Sequence, residues 1–143
     1  MKCLFDTSVL VPAVVDQLAN HEAAFSCFRG AKSDGGRAFG SCHVLAEAYA
    51  TLTALPLPRR ITALEESHLV RSNFAKRLEL VSLSPDDYAE ALEMTAGRGL
   101  ISGQIYDALH IVAALKSGCW RIYTYNIRHF GKLVPSDMEI TTP

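Results

Sequence analysis

Several features that would assign a protein to a class are missing from this sequence. Its four cysteines, Cys3, Cys27, Cys42 and Cys119, are far apart and form no CxxC pair, so neither a zinc ribbon nor a disulfide framework is indicated. We expect reduced, mostly buried thiols. No basic segment with an apolar core opens the chain, and no apolar run is long enough to cross a bilayer. The sequence therefore predicts a cytoplasmic protein without a membrane segment.

A surplus of charge of either sign is also missing. Fourteen Lys and Arg residues face fifteen Asp and Glu residues, which gives a net charge of −1. Nothing global therefore attracts the protein to nucleic acid or to an anionic membrane, and any nucleic-acid contact must come from a local patch. The length of 143 residues and the hydrophobic fraction of 49% predict a single globular domain over residues 1–143.

The first nine residues are the most informative stretch that is present. Apolar residues from Cys3 to Phe5 run directly into Asp6, and a polar step then leads into a second apolar run. Continuous apolar character is typical of a central strand that is buried on both faces. An acid at the end of such a strand would lie at the carboxyl edge of a parallel sheet, where open α/β sheets bind ligands. Asp6 is therefore either an active-site acid or a helix cap.

Segments typical of strands and helices alternate along the rest of the chain. After the first strand, further strands are predicted at residues 37–40, 79–83, 120–125 and 138–141, the last at a sheet edge. Helices are predicted at residues 9–15, 21–32, 42–55, 62–77, 85–97 and 103–117, and a turn or short helix at 126–130. This alternation predicts a three-layer α/β/α sandwich with a mostly parallel central sheet.

Particular residues are predicted to begin these helices. Ser41 is a candidate N-cap, Thr62 has capping-box spacing, and Ser84 is followed by a proline and two acids. Pro12 is expected in a first turn, where proline is tolerated. The apolar stripe that contains Phe25 and Phe28 is either core or a groove for a partner helix, and we expect core.

Three acids from distant points of the chain are candidate metal ligands. Asp6 ends the first strand, Glu47 lies on the flank of a helix where solvated acids are common, and Asp107 falls in the first turns of a mostly apolar helix. A buried carboxylate such as Asp107 needs a metal ion, a basic partner or an open cleft. If the sheet is doubly wound, all three acids converge at its carboxyl edge, where a cation would relieve their repulsion. Oxygen ligands favour Mg²⁺ or Mn²⁺.

Four segments resemble the successive motifs of PIN-domain proteins. They are Phe5–Leu10, the helical Val44–Glu47, Ile105–His110 and Tyr123–Phe130. Their order and spacing, over nearly the whole chain, are similar to those of VapC-type toxins of toxin–antitoxin pairs. The resemblance implies a PIN-like, Rossmann-like fold and a Mg²⁺- or Mn²⁺-dependent endoribonuclease, which is inhibited by a cognate antitoxin and is commonly a homodimer.

The resemblance also implies roles for individual residues. Asp6, Glu47 and Asp107 would be the acidic metal ligands. The fourth motif departs from the family pattern, because Asn126 stands where some members have Asp and His129 stands where many toxins carry another acid. Asn126 can still ligate a metal or orient a water molecule, but it adds no charge, so a single-metal site or a weaker second metal is expected.

Other polar residues near the motifs have two open interpretations. Thr124 and Ser8 are candidate substrate contacts, with Thr124 equally interpretable as an ordinary strand residue. Arg98, Arg128 and Lys132 either contact RNA phosphates at the cleft rim or are solvated surface residues. His110 and His43 lie near the predicted acids, and a structural role is expected for both.

Two alternatives to a ribonuclease remain at this point. A phosphatase of the haloacid dehalogenase type would use Asp6 as its nucleophile, but Ser8 stands where its second acid is required and no suitably placed lysine is evident. A non-catalytic PIN-like module that binds RNA or a protein is the stronger alternative, because of the departures at Asn126 and His129.

Overall fold

A five-stranded parallel sheet forms the centre of the computed structural model, which describes residues 1–143. The strand order is β3-β2-β1-β4-β5, and all four neighbouring pairs are parallel. The strands are β1 (Lys2–Phe5), β2 (Arg37–Ser41), β3 (Glu79–Val81), β4 (Arg121–Tyr123) and β5 (Glu139–Thr141). The prediction of five strands with the last at an edge is confirmed, and the sheet is wholly rather than mostly parallel.

Seven α-helices connect and cover these strands. They are α1 (Thr7–Val14), α2 (His21–Gly30), α3 (His43–Ala54), α4 (Ala63–Leu69), α5 (Pro85–Gly97), α6 (Gln104–Ser117) and α7 (Ile127–Phe130). A π-helical segment, Val70–Ala75, continues α4. None of these helices combines the length and the apolar character that a bilayer span requires.

Alternating strand residues pack into two separate hydrophobic cores, one on each face of the sheet. Cys3 and Phe5 of β1 pack with residues of α1, α2 and α3. Leu4, between them, packs on the opposite face with residues of α5 and α6. Because successive side chains of a strand point to opposite faces, one short strand supports both layers. The predicted three-layer α/β/α sandwich is confirmed.

Helix α6 is the most deeply buried helix of the structure. Residues Ala108 to Ala114 are all buried, as its nearly continuous apolar sequence predicts. It ends at Gly118, whose φ of +70° closes the helix in the left-handed conformation that glycine adopts without a Cβ penalty. The buried helix fixes the position of any polar side chain that it carries.

Most of the predicted caps are confirmed, and two local predictions are wrong. Thr62 and Ser84 each form a complete capping box. Ser41 is not a cap, because it is the last residue of β2 and the cap position of α3 is Cys42, which makes no side-chain cap bond. Pro12 lies inside α1 rather than in its first turn, because the helix begins at Thr7.

The apolar stripe of α2 is divided between core and surface. Phe28 is buried against Phe5 and Phe74, with its ring 5.3 Å and 6.4 Å from theirs. Phe25 is 37% exposed and stacks on His21. The core interpretation therefore holds for Phe28 and is wrong for Phe25.

Candidate functional site

The strand order reverses between β1 and β4, and Asp6 lies at this point. It follows the last residue of β1, and its backbone N–H donates to Tyr123 O at 3.0 Å, which extends the pairing with β4. Outward from β1 the chain proceeds to β2 on one side and to β4 on the other. In open α/β sheets a crevice forms at such a switch point, outside the carboxyl ends of the strands. The topology therefore positions Asp6 where such folds bind ligands.

One oxygen of Asp6 is held by two hydroxyl groups and a backbone amide. Oδ2 accepts hydrogen bonds from Ser8 Oγ at 2.6 Å, Thr124 Oγ1 at 2.8 Å and the Ser8 N–H at 3.3 Å. The last bond makes Asp6 the N-cap of α1. Asp6 is only 1% exposed. The sequence left open whether Asp6 caps a helix or lies in a ligand-binding crevice. The structure shows that the same carboxylate caps α1 and lies at the crevice.

Ser8 and Thr124 are themselves fixed by the segment that follows β4. Ser8 Oγ accepts the Tyr125 N–H and Thr124 Oγ1 accepts the Asn126 N–H, each at 2.9 Å. Thr124 is fully buried. Its hydroxyl is thus occupied by Asp6 and by the backbone, away from any surface that a substrate can reach. This network gives the Asp6 carboxylate one orientation, with Oδ1 directed at His110.

Glu47 reaches the same place from the first turns of α3. Its Oε2 accepts hydrogen bonds from His110 Nε2 at 3.2 Å and pairs with His43 Nε2 at 3.3 Å. The His43 ring is stacked on Tyr106 at 4.9 Å. Burial alone would raise the pKa of the Glu47 carboxyl, but the hydrogen bonds from His110 and His43 outweigh it and hold the pKa below its ordinary value. Glu47 is therefore ionised and held in position at neutral pH.

His110 is a buried imidazole that links Glu47 with Asp6. Its Nε2 lies 3.6 Å from Asp6 Oδ1, and its Nδ1 is bonded to Ser41 Oγ at 3.0 Å. The residue has no exposed surface. Burial disfavours the charged ring, but the hydrogen bond to Glu47 and the charge of Asp6 raise the pKa of His110 above its ordinary value. The imidazole therefore lies between the two carboxylates and is hydrogen-bonded to one of them.

Asp107 borders this group from α6. Burial, followed by the negative charge of Asp6, raises the pKa of the Asp107 carboxyl to about 6. Its side chain is 13% exposed, and its Oδ2 lies 3.9 Å from His129 Nδ1. The repulsion between Asp107 and Asp6 shows that the two acids, predicted to converge, influence each other electrostatically.

The ligand atoms of this group are close enough to surround one metal ion. One ligand atom each from Asp6, Glu47 and His110 lies within 4.8 Å of the others. Asp107 is outside this trio but adds a third carboxylate at its border. Carboxylate oxygens suit Mg²⁺ and Mn²⁺, while an imidazole suits transition metals. The residues present fit a divalent cation that is held mainly by oxygen.

Two cavities open on either side of Glu47. One, of about 310 Å³, is lined by Thr7, Ser8, Thr51 and Asn126, among others. The second, of about 380 Å³, is lined by Tyr106, Asp107 and His129, among others. We call the two together the acidic cleft. Larger cavities are present around α4, away from these acids.

The predicted basic residues do not converge on the acids. Arg128 is exposed and forms no ion pair, while Arg98 donates to the carbonyl of Leu133 at 2.8 Å. Lys132 is exposed as well. The basic side chains nearest to the acids of the cleft are instead histidines.

Sequence reasoning missed the histidine side of the site. His110 and His43 were expected to be structural, and Ser41 was assigned to a helix cap. A usable signal was present, because His110 lies three residues after Asp107, on the same helix face, and His43 lies four residues before Glu47. The spacing predicted proximity to the acids, but the partner of His110 on β2 depends on the tertiary fold.

The sequence matches one family model, and the fold matches several solved structures. The family model described as PIN domain matches residues 3–133. No curated protein shows significant similarity to the chain. VapBC2 from Rickettsia felis, solved with a DNA fragment of its promoter, has 20% sequence identity and a TM-score of 0.68, with 100% of this chain and 99% of that chain covered.

Two further solved structures have the same fold. Mycobacterium tuberculosis VapC20, described as a sarcin–ricin loop cleaving toxin, has 18% identity and a TM-score of 0.70, with coverage of 90% of this chain and 93% of that one. VapBC-1 from nontypeable Haemophilus influenzae has 13% identity and a TM-score of 0.68, with coverage of 99% and 98%. At these identities the likeness establishes the fold alone. The family model covers nearly the whole sequence, and this protein therefore belongs to the PIN domain family.

Proposed function

We propose that this protein is a metal-dependent endoribonuclease that hydrolyses RNA phosphodiester bonds. The observation that carries the proposal is the convergence of Asp6 and Glu47 at the switch point of the sheet, where a carboxylate oxygen of one lies within 4.8 Å of a carboxylate oxygen of the other. Asp107 at its border adds a third acid. Family membership supports the same reaction, since one protein of similar structure is described as a toxin that cleaves the sarcin–ricin loop.

The biological role that we propose is that of the toxin in a toxin–antitoxin pair. Several proteins of similar structure were solved as VapBC complexes. By this proposal the partners are an RNA substrate, a cognate antitoxin protein and a second copy of the chain in a homodimer. The site of action would be the cytoplasm, where the RNA is found.

Asp6, Glu47 and Asp107 are the proposed ligands of Mg²⁺ or Mn²⁺. When bound, a divalent cation of this kind lowers the pKa of a water molecule and neutralises charge on a phosphodiester. The free oxygen of Asp6, Oδ1, is the one that points into the group, because Oδ2 is already occupied by three hydrogen bonds. The three carboxylates that would hold the cation come from three different parts of the fold, the start of α1, helix α3 and helix α6.

Ser8, Thr124 and His110 are the proposed positioning residues. The hydroxyls of Ser8 and Thr124 fix the rotation of the Asp6 carboxylate, and the His110 imidazole fixes Glu47. Partners of metal ligands commonly have this role, since they orient the ligands and raise their affinity. This proposal replaces the expected substrate contacts of Ser8 and Thr124 with an effect that acts through Asp6.

Asn126 and Arg128 are the proposed substrate contacts at the mouth of the cleft. Asn126 is exposed and lines the cavity that also contains Ser8 and Glu47. Its amide can orient a water molecule or a phosphate oxygen without adding charge. Arg128, two residues further on and exposed, can reach a phosphate by charge alone.

A non-catalytic module that binds RNA or protein is the second candidate. The observation that favours it is the buried His110, whose Nε2 already bonds Glu47 at 3.2 Å and lies 3.6 Å from Asp6 Oδ1. The geometry does not favour an Asp-nucleophile phosphatase, because Asp6 is 1% exposed and Oδ2 is engaged.

RNA cleavage by the purified protein tests the proposal. We expect wild-type protein to cut single-stranded or looped RNA in Mg²⁺ or Mn²⁺ and to stop in chelator, with Asp6→Asn and Asp107→Asn inactive. Asp86→Asn is the matched control, because Asp86 is an exposed acid in the first turn of α5. Sequencing of RNA ends after induced expression, with Asp6→Asn beside the wild type, would identify the target. Cleavage that persists in chelator or in both variants would exclude the proposed site, and metal binding without cleavage would favour the binding module.

A further inference from the structure

A cavity outside the acidic cleft is lined by three arginines. It has a volume of about 600 Å³ and lies between the segment before α4 and the outer face of that helix. Arg59, Arg60 and Arg71 contribute to its lining together with apolar side chains and His68. All three arginines are exposed. We call this cavity the arginine pocket.

None of the three arginines of the pocket forms an ion pair. By contrast, Arg37 pairs with Glu79 and Arg121 pairs with Glu139. The only acid in the lining is Glu65, whose Oε2 accepts the backbone N–H of Thr62 at 2.7 Å in the capping box of α4. The lining thus carries two more positive than negative groups, in a chain whose net charge is −1. Local charge of this kind attracts anions although the whole protein does not.

The composition of the pocket suits a nucleotide unit of a strand. Arginine presents a planar fork of N–H donors that matches a phosphate. Ile61, Leu64 and Leu69 provide apolar surface beside the arginines, and Leu64 is 83% exposed. A volume of this size falls in the range of small-ligand sites. Phosphate groups with an attached ribose and base combine the charged and apolar surfaces that such a pocket requires.

The segment around Gln17 lies beside both the arginine pocket and the acidic cleft. The Arg59 N–H donates to Gln17 Oε1 at 3.2 Å. Leu18 and Asn20, directly after Gln17, line the cleft together with Glu47. Glu47 lies on α3, and the seven residues that follow it to the end of the helix extend over about 10 Å. That end of the helix lines a cavity that adjoins the arginine pocket. An RNA strand that follows α3 from the cleft would therefore approach the pocket.

We propose that the arginine pocket binds the phosphate backbone of the RNA strand whose scissile bond lies at the acidic cleft. The inference rests on the proposed function and deepens it, because it assigns a second contact to the same substrate. Arg59, Arg60 and Arg71 hold phosphates at a distance from the cut, which favours substrates long enough to span both sites. The apolar side chains cover a ribose or a base.

Salt-dependent RNA binding tests this proposal without depending on cleavage. Fluorescence anisotropy of a twelve-nucleotide single-stranded RNA is measured in chelator over a range of NaCl concentrations. The test variant is Arg59→Ala/Arg60→Ala/Arg71→Ala. The matched control is Arg29→Ala/Lys32→Ala/Arg77→Ala, which removes the same charge from a smaller basic cavity of about 210 Å³ at the end of α2.

Three lost phosphate contacts have a defined effect on this measurement. Each phosphate contact contributes about 0.7 to the slope of log K against log salt for a single strand, so the slope should decrease in magnitude by about 2. The affinity for RNA at 0.1 M salt should decrease by about 100-fold. The control variant should keep the wild-type slope. An unchanged slope in the test variant, or an equal decrease in both, would overturn the proposal. So would loss of polyglutamate binding with RNA binding intact, which would assign the pocket to an acidic protein segment.

Cleavage of short and long RNA separates this inference from the proposed function. A dinucleotide cannot reach the arginine pocket, so the test variant should cleave it at the wild-type rate and show a raised KM only for the twelve-nucleotide RNA. Equal KM values of the wild type and the test variant for the twelve-nucleotide RNA would overturn the proposed role of the pocket. Absence of cleavage by the wild type would instead refute the proposed function, while the anisotropy result would still decide whether the pocket binds RNA.

Discussion

Replacing Thr124 with valine tests the positioning of Asp6. Valine has nearly the shape of threonine, so the change removes a hydroxyl from a fully buried position without opening a cavity. Two hydrogen bonds are lost, the one to Asp6 Oδ2 at 2.8 Å and the one from the Asn126 N–H at 2.9 Å. The bond to a carboxylate contributes about 1.5–3 kcal/mol and a neutral bond about 1 kcal/mol. We therefore expect the free energy of unfolding to fall by about 2–4 kcal/mol.

The same change should weaken metal binding, because loss of a partner of a metal ligand typically costs about 10–100-fold in affinity. Calorimetric titration with Mn²⁺ and urea denaturation measure the two effects, and Thr124→Ser should restore both. Thr95→Val is the matched control, since Thr95 is also buried and its hydroxyl donates to the Ala91 carbonyl at 2.7 Å, far from the acids. If Thr124→Val and Thr124→Ser both bind Mn²⁺ as tightly as the wild type, Thr124 does not position Asp6.

Three further substitutions have expected outcomes. Asp107→Asn removes a carboxylate whose pKa is raised to about 6 by burial and a like charge, so the variant should unfold at a higher temperature than the wild type in chelator. Its stabilisation by Mn²⁺ should vanish, and an unchanged response to Mn²⁺ would contradict this expectation. Glu66 is buried, its Oε2 has no partner, and burial raises its pKa, so the free energy of unfolding should decline as the pH rises above about 4.3, where the unfolded carboxyl ionises. In urea titrations from pH 4 to 8, Glu66→Gln should flatten that decline and add about 1–3 kcal/mol to the free energy of unfolding at neutral pH. An unaltered pH profile would contradict this expectation. A Cβ at Gly36 would clash with the Ala31 carbonyl oxygen, so Gly36→Ala should lower the free energy of unfolding by about 1–3 kcal/mol. Gly30→Ala, in open space on a helix, should be neutral or stabilising in the same denaturation assay.

The architecture was largely predictable because β1 is short and strongly apolar and marks the centre of the sheet. Residues 3–5 are completely buried, and the sequence shows this as an unbroken apolar run. The alternation of strands and helices then leaves few topologies, since parallel crossovers are right-handed. Strand ends were less predictable: the run at 120–125 is a strand only at Arg121–Tyr123. Beyond it, Thr124 and the segment after it turn toward Asp6, and that choice depends on tertiary hydrogen bonds.

The acids of the cleft were predictable as a set, but their surroundings were not. Asp6 and Asp107 stood out because ionised groups beside apolar runs require partners. The partner of Glu47 was not apparent, because His110 reaches it across 63 positions of the chain. Ser41 shows the limit most clearly: its sequence context is that of a helix cap, whereas its hydroxyl is bonded to His110. Local propensity cannot distinguish these uses of a serine.

Calorimetric titration of Mn²⁺ into the purified protein measures whether Asp6, Glu47 and Asp107 hold a divalent cation. We expect saturable binding by the wild type, loss of that binding in Asp6→Asn and Asp107→Asn, and wild-type binding in Asp86→Asn. Binding that persists in both of the first two variants, or no binding by the wild type, would contradict this expectation.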